Sequence, residues 1–195
     1  MKNLLKIAFV LLAVNPLISF SQEHQPHLAT AAHASAEPSF DERVNTAVGI
    51  VTQQFPRAQL YEAEGAASKG PTTDPEQIDE MRVVFRDGDH HTIFIKETSV
   101  GEFGPPVVAP VSWDGDLLID WPVKMDLERA NQLKDAAGYT APYDSAILRA
   151  PFGSSDTGNP AFEFSSQPSN QHVFVDTVTG AVTVATTPGA GHLGF

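Results

Sequence analysis

Six consecutive residues, Arg86-Asp87-Gly88-Asp89-His90-His91, bring together two carboxylates and two imidazoles. Carboxylate oxygens and imidazole nitrogens suit a divalent cation, so Asp87, Asp89, His90 and His91 form a candidate metal site. The same residues also fit a polar hairpin tip. Asp-Gly is a turn former between two apolar runs, and successive residues of a strand point to opposite faces, which makes it hard for neighbours to share one ion. His24, His27 and His33 are unequally spaced in a polar stretch without an array of carboxylates, which suits loose capture of Zn²⁺ or Cu²⁺ at best.

Other chemistry finds little support. Phe152-Gly-Ser-Ser-Asp-Thr-Gly158 holds serine and aspartate in a Gly-rich loop, but the strained nucleophile turn and a paired histidine are missing. Neither a phosphate-binding loop nor a dinucleotide fingerprint occurs. The chain has no cysteine, which removes thiol catalysis, thiolate metal sites and lipid modification of an N-terminal cysteine. No catalytic residue and no cofactor are expected. Two tryptophans remain, Trp113 and Trp121, around the apolar Leu117-Leu118-Ile119. Such a pair either seals an internal interface or anchors a partner. Phe103, in the irregular stretch His91 to Pro106, is a further candidate contact for a partner.

The elements that would position these residues follow from patterning. Lys2 and Lys6 precede an apolar run from Ile7 to Phe20 that ends in small residues, the pattern of a signal peptide cleaved after Ser21. The run is too short to span a bilayer, and Asn15-Pro16 interrupts it. Residues 22–38 read as a flexible leader. Ser39-Phe-Asp-Glu42 is a capping box, and Val44, Ala47, Val48 and Val51 recur at helical spacing until Pro56. A strand follows in Ala58 to Gly65, then a loop, then two strands around Asp87-Gly88, then a short strand at Val107 and Val108. Asp126 caps a second helix with Leu127, Ala130, Leu133 and Ala137 on one face, and Gly138 stands where it would stop.

The second half echoes the first. Glu42-Arg-Val-Asn45 has a counterpart in Glu128-Arg-Ala-Asn131, and Pro56 in Pro142. The expected organisation is signal peptide 1–21, leader 22–38, a first unit 39–112, a connection 113–125, a second unit 126–187 and a tail 188–195.

The segment Pro160 to Val184 resembles the PepSY domain, a module of peptidase propeptides and exported bacterial proteins. The matching residues are Phe162-Glu-Phe164, then Val173, Phe174, Val175, Asp176, Thr179, Gly180 and Val182. The first half departs from that pattern, with Lys96 where the aspartate would stand. The resemblance implies an α+β fold of two tandem units, each one helix packed on a small antiparallel sheet, PepSY-like or cystatin-like. It implies binding rather than catalysis. The motif also has a physical reading: Phe174 faces away from Val173 and Val175, Asp176 accepts from turn amides, and Gly180 supplies a positive φ.

The formal charge of −12 repels phosphate backbones and anionic lipid, which argues against nucleic acid and peripheral membrane binding. With the signal sequence and no cysteine, this points to a periplasmic or secreted protein without stable membrane insertion. The expected function is non-enzymatic binding that engages or restrains a peptidase or another envelope protein. The alternative is binding of a small molecule or divalent metal.

Overall fold

A computed structural model describes residues 37–88, 91–109, 116–151, 158–166 and 171–186. They fall within one compact unit, Ala36–Phe195.

Helix α1 (Phe40–Gln54) begins where its capping box places it. Ser39 Oγ accepts from the Glu42 amide at 3.3 Å, and Glu42 Oε2 accepts from the Ser39 amide at 2.8 Å. Phe40, Val44, Ala47 and Val51 form its buried stripe, and the helix stops at Phe55, one residue before Pro56. Helix α2 (Leu127–Ala136) is capped by Asp126, whose Oδ1 accepts from the Arg129 amide at 2.7 Å. Gly138, at φ +94°, carries the chain out of it.

The strands are β1 (Gln59–Ala66), β2 (Glu80–Arg86), β3 (Thr92–Ser99), β4 (Glu102–Phe103), β5 (Val107–Ala109), β6 (Asp116–Leu117), β7 (Ser145–Pro151), β8 (Ala161–Ser166), β9 (Gln171–Asp176) and β10 (Val182–Thr186). All belong to one ten-stranded sheet in the order β10-β9-β8-β7-β1-β2-β3-β4, with β5 on β3 and β6 on β7. Every pairing is antiparallel.

This corrects the expected fold of two tandem units, each with its own small sheet. Strands β1 and β7, expected to lie in separate sheets, pair with each other from Glu62↔Arg149 to Ala66↔Ser145. The bridge Thr72↔Tyr143 prolongs the contact, with amide-to-carbonyl distances of 2.9 and 2.8 Å. The physical reason is the edge. A strand with one partner leaves a row of amides and carbonyls unpaired, and joining two such edges satisfies both. Alternation within a strand records which face is buried, not which edge has a neighbour.

Both helices pack on the same face of this sheet. Phe40 of α1 meets Phe162 of β8 edge to face at 5.7 Å. Lys134 of α2 lies 5.6 Å from the ring of Phe164 on the same strand. Ala63, Met81, Val83, Phe85, Ile93, Ile95, Ala146, Leu148, Phe162, Phe164, Val173 and Val175 belong with the helix stripes to one buried cluster. Gly65 matters to this packing, because a Cβ there would lie 2.4 Å from Ile78 Cγ2 and 3.0 Å from Phe40 Cε2.

Candidate functional site

The residues that alternate with that core point to the other face. Strand register lines them up in rows: Phe174, Glu163, Ile147, Glu64, Arg82 and Lys96 in one, and Asp176, Ala161, Arg149, Glu62, Val84, Phe94 and Val107 beside it. The centre of this face is ionic. Arg82 Nη2 lies 2.5 Å from Glu64 Oε2 and 3.7 Å from Glu62 Oε1. Arg149 donates through Nη2 to Asp116 Oδ1 at 2.8 Å and through Nη1 to Glu163 Oε2 at 3.2 Å. The other oxygen of Glu163 meets His172 Nδ1 at 2.7 Å.

The acids lie beneath the bases. Glu62, Asp116 and Glu163 are 6%, 8% and 5% exposed, whereas the side chains of Arg82 and Arg149 are 29% and 30% exposed. Burial pushes Glu62 up to about 7; Arg149 and Arg82 oppose that shift, and Glu64 and Asp116 add to it. Asp116 is raised by burial against the pull of its hydrogen bond and charge contact with Arg149. Burial lowers Arg149, but its bond to Asp116 and the charges of Asp116, Glu163 and Glu62 outweigh it and hold the guanidinium charged. A strongly acidic protein therefore presents guanidinium edges on this face, with the carboxylates of Glu62, Asp116 and Glu163 turned inward and that of Glu64 partly exposed beside Arg82. Such a ladder fixes the orientation of its arginines and suits recognition of a surface.

The predicted site residues are dispersed. Trp121 is half-buried against the core, and its Nε1 donates to Asn45 Oδ1 of α1 at 2.7 Å, so it fastens the connection to a helix. Phe103 packs against the core from β4, where it pairs with Glu97. Trp113 lies outside the described residues, as do Asp89 and His90. Of the remaining hairpin residues, Asp87 accepts from the Gly88 amide at 2.7 Å and has Arg57 at 4.0 Å, and His91 is exposed. Among the described residues no three acids or histidines are grouped to hold a metal ion. Asp176 Oδ1 accepts from the amides of Val178 and Thr179, each at 2.8 Å, and Gly180 has φ +72°. Phe174 is half-buried on the ionic face.

The ladder itself was missed. Its signal was an acid or base at alternate positions within apolar runs: Glu62 and Glu64 in Leu-Tyr-Glu-Ala-Glu-Gly, Arg149 after Ile147, and Glu163 between two phenylalanines. His172 looks isolated along the chain, and only the β8–β9 pairing brings it to Glu163.

No family model matches the chain, and no curated protein matches it. Its fold is similar to the crystal structure described as that of a "putative lipoprotein" from Clostridium difficile 630. The TM-score is 0.54 at 13% identity, over 77% of this chain and 97% of that one. At that identity the likeness concerns the fold alone. No helix among the described residues is long and apolar enough to cross a membrane.

Proposed function

We propose that this chain is an exported protein that binds another protein of the cell envelope, such as a peptidase, through the helix-free face of its sheet. The observation that carries this reading is the asymmetry of the sheet. Both helices cover one face, while the other holds arginines oriented over buried acids. Interfaces are enriched in arginine and aromatic side chains, and this face adds half-buried Phe94 and Phe174 and exposed Val107. The signal-peptide pattern at Lys2 to Ser21 supports export, and the PepSY-like segment Val173 to Val182 supports a binding role.

Site-specific photocrosslinking tests it. A photoreactive residue at Lys96 or Thr183, on the helix-free face, should capture a discrete envelope protein from the producing organism, and one at Gln53 on α1 should not. Equal capture from all three positions, or none above background, would overturn the proposal.

A further inference from the structure

The two ends of the sheet are built differently. At one end β3 carries two short strands: β4, with a register shift between Glu97 and Ser99, and β5, which lies between Pro106 and Pro110. Lys96 and Glu102 are exposed there as well. Short strands, a bulge, prolines and charges are the devices that stop a sheet edge from pairing with another chain. At the other end β10, Val-Thr-Val-Ala-Thr, carries no charge, no proline and no register shift. Among the described residues it pairs with β9 alone.

Hydrogen-bond parity shows which backbone groups of β10 face outward. The Asp176 amide donates to the Ala181 carbonyl at 3.0 Å, and on the other side of β9 the Thr177 amide donates to the Pro160 carbonyl at 2.9 Å. Antiparallel bonding alternates, so Asp176, Phe174 and His172 bond toward β10, and Val175 and Val173 toward β8. Their partners Ala181, Thr183 and Ala185 thus bond inward, and the amides and carbonyls of Val182, Val184 and Thr186 point away from the sheet. That set is symmetric about Val184. Side-chain packing marks the same residue. Val184 lies opposite Val173, on the helix side, yet α2 packs on β9 and leaves Val184 37% exposed.

We infer that β10 pairs antiparallel with β10 of a second copy of this chain about a two-fold axis at Val184, joining two sheets edge to edge. Val184 then faces Val184 of the second copy, and Val182 faces Thr186 at each end, so every outward amide and carbonyl of both strands has a partner. The two Val184 side chains become a cross-strand apolar pair on the helix side. Charge selects the same place. A chain of formal charge −12 repels its own kind, and β10 brings no carboxylate of its own to the contact. An isologous contact uses the same edge twice and closes. The opposite ends, blunted by β4 and β5, do not continue the assembly. Five residues per strand make a short interface, so association is reversible and depends on concentration. The pairing extends the sheet in its own plane and leaves the helix-free face open, so it does not rest on the function proposed above.

Sedimentation equilibrium of the full chain should show a monomer–dimer equilibrium between micromolar and millimolar concentration. Val184→Pro removes the central outward amide without touching a bond to β9, and should weaken the dimer at least tenfold. Val184→Lys, which keeps that amide and serves if the proline variant folds poorly, should do the same by placing two ammonium groups across the axis. The chain has no cysteine, so Val184→Cys supplies its only thiol. A short bismaleimide should convert that variant to a covalent dimer, whereas Val107→Cys, exposed at the opposite edge, should stay monomeric. A chain that remains monomeric at millimolar concentration would overturn the inference, whether a segment of its own or a different protein covers β10. So would a dimer unaffected by both Val184 changes, equal crosslinking at the two thiols, or assemblies that grow beyond two copies.

Discussion

Glu62 is the residue where the ladder's electrostatics become measurable. Its carboxyl titrates near 4.5 when exposed and is pushed up to about 7 in the folded chain, chiefly by burial. Between those values the folded state holds a proton that the unfolded state has released, so Glu62 makes stability fall as pH rises from about 4.5 to about 7. Glutamine resembles the protonated acid in shape and cannot ionise. Glu62→Gln should therefore match the parent near pH 4 and exceed it near pH 8 by about 3 kcal/mol, since each pK unit of the rise from 4.5 to about 7 corresponds to about 1.4 kcal/mol. Urea midpoints at the two pH values provide the check, and parallel curves for the two proteins would refute the assignment. None of this could be read from Glu62 by position. The alternation around it marks an outward-facing residue on a half-buried strand, and an outward residue is ordinarily solvated. It becomes buried because Arg149 of β7 lies beside it and Asp116 of β6 is near, and those neighbours are far away in sequence.

At the scale of elements, local chemistry was the legible part. The capping box at Ser39, the aspartate cap at Asp126 and the amide-accepting Asp176 each depend on residues within four positions, so sequence displays all the partners. Gly65 shows where that legibility ends. In the sequence it closes an apolar run. In the structure it lets β1 lie against Ile78 and Phe40, the residue through which α1 reaches Phe162 of β8. Gly65→Ala places a methyl group at 2.4 Å from the Ile78 side chain, and overpacking of that kind costs about 1–3 kcal/mol. A lowered thermal midpoint, with a smaller loss when the same change is made in an Ile78→Ala background that lacks Cγ2, would show that the clash is the cause. An unchanged midpoint would mean that the 3-10 turn gives way freely.

The whole molecule depends on the pairing of β1 with β7. Two units with separate sheets would unfold separately, each losing protection according to its own contacts. A sheet that runs without a break from β10 to β4, sharing one buried cluster under both helices, links the two halves through backbone bonds and side chains together. The phenylalanine at position 164 tests this linkage. It packs edge to face on Tyr143 at 4.9 Å, and its strand β8 is separated from β2 in the sheet by β7 and β1. Phe164→Leu should destabilise the chain by about 1–2 kcal/mol, as a shape change in a packed core does. Native-state hydrogen exchange then distinguishes the architectures. In the joined sheet, the amides of Val83 and Phe85 in β2 should lose as much protection as those of Phe162 and Ala146, because the most protected amides exchange through global unfolding. In separate units, β2 would keep its protection while β8 lost it. Equal losses would also explain why the repeated order of helix and strands along the chain misleads about architecture: the repeat describes how each half is ordered, and the antiparallel pairing of their two edges determines that they unfold as one.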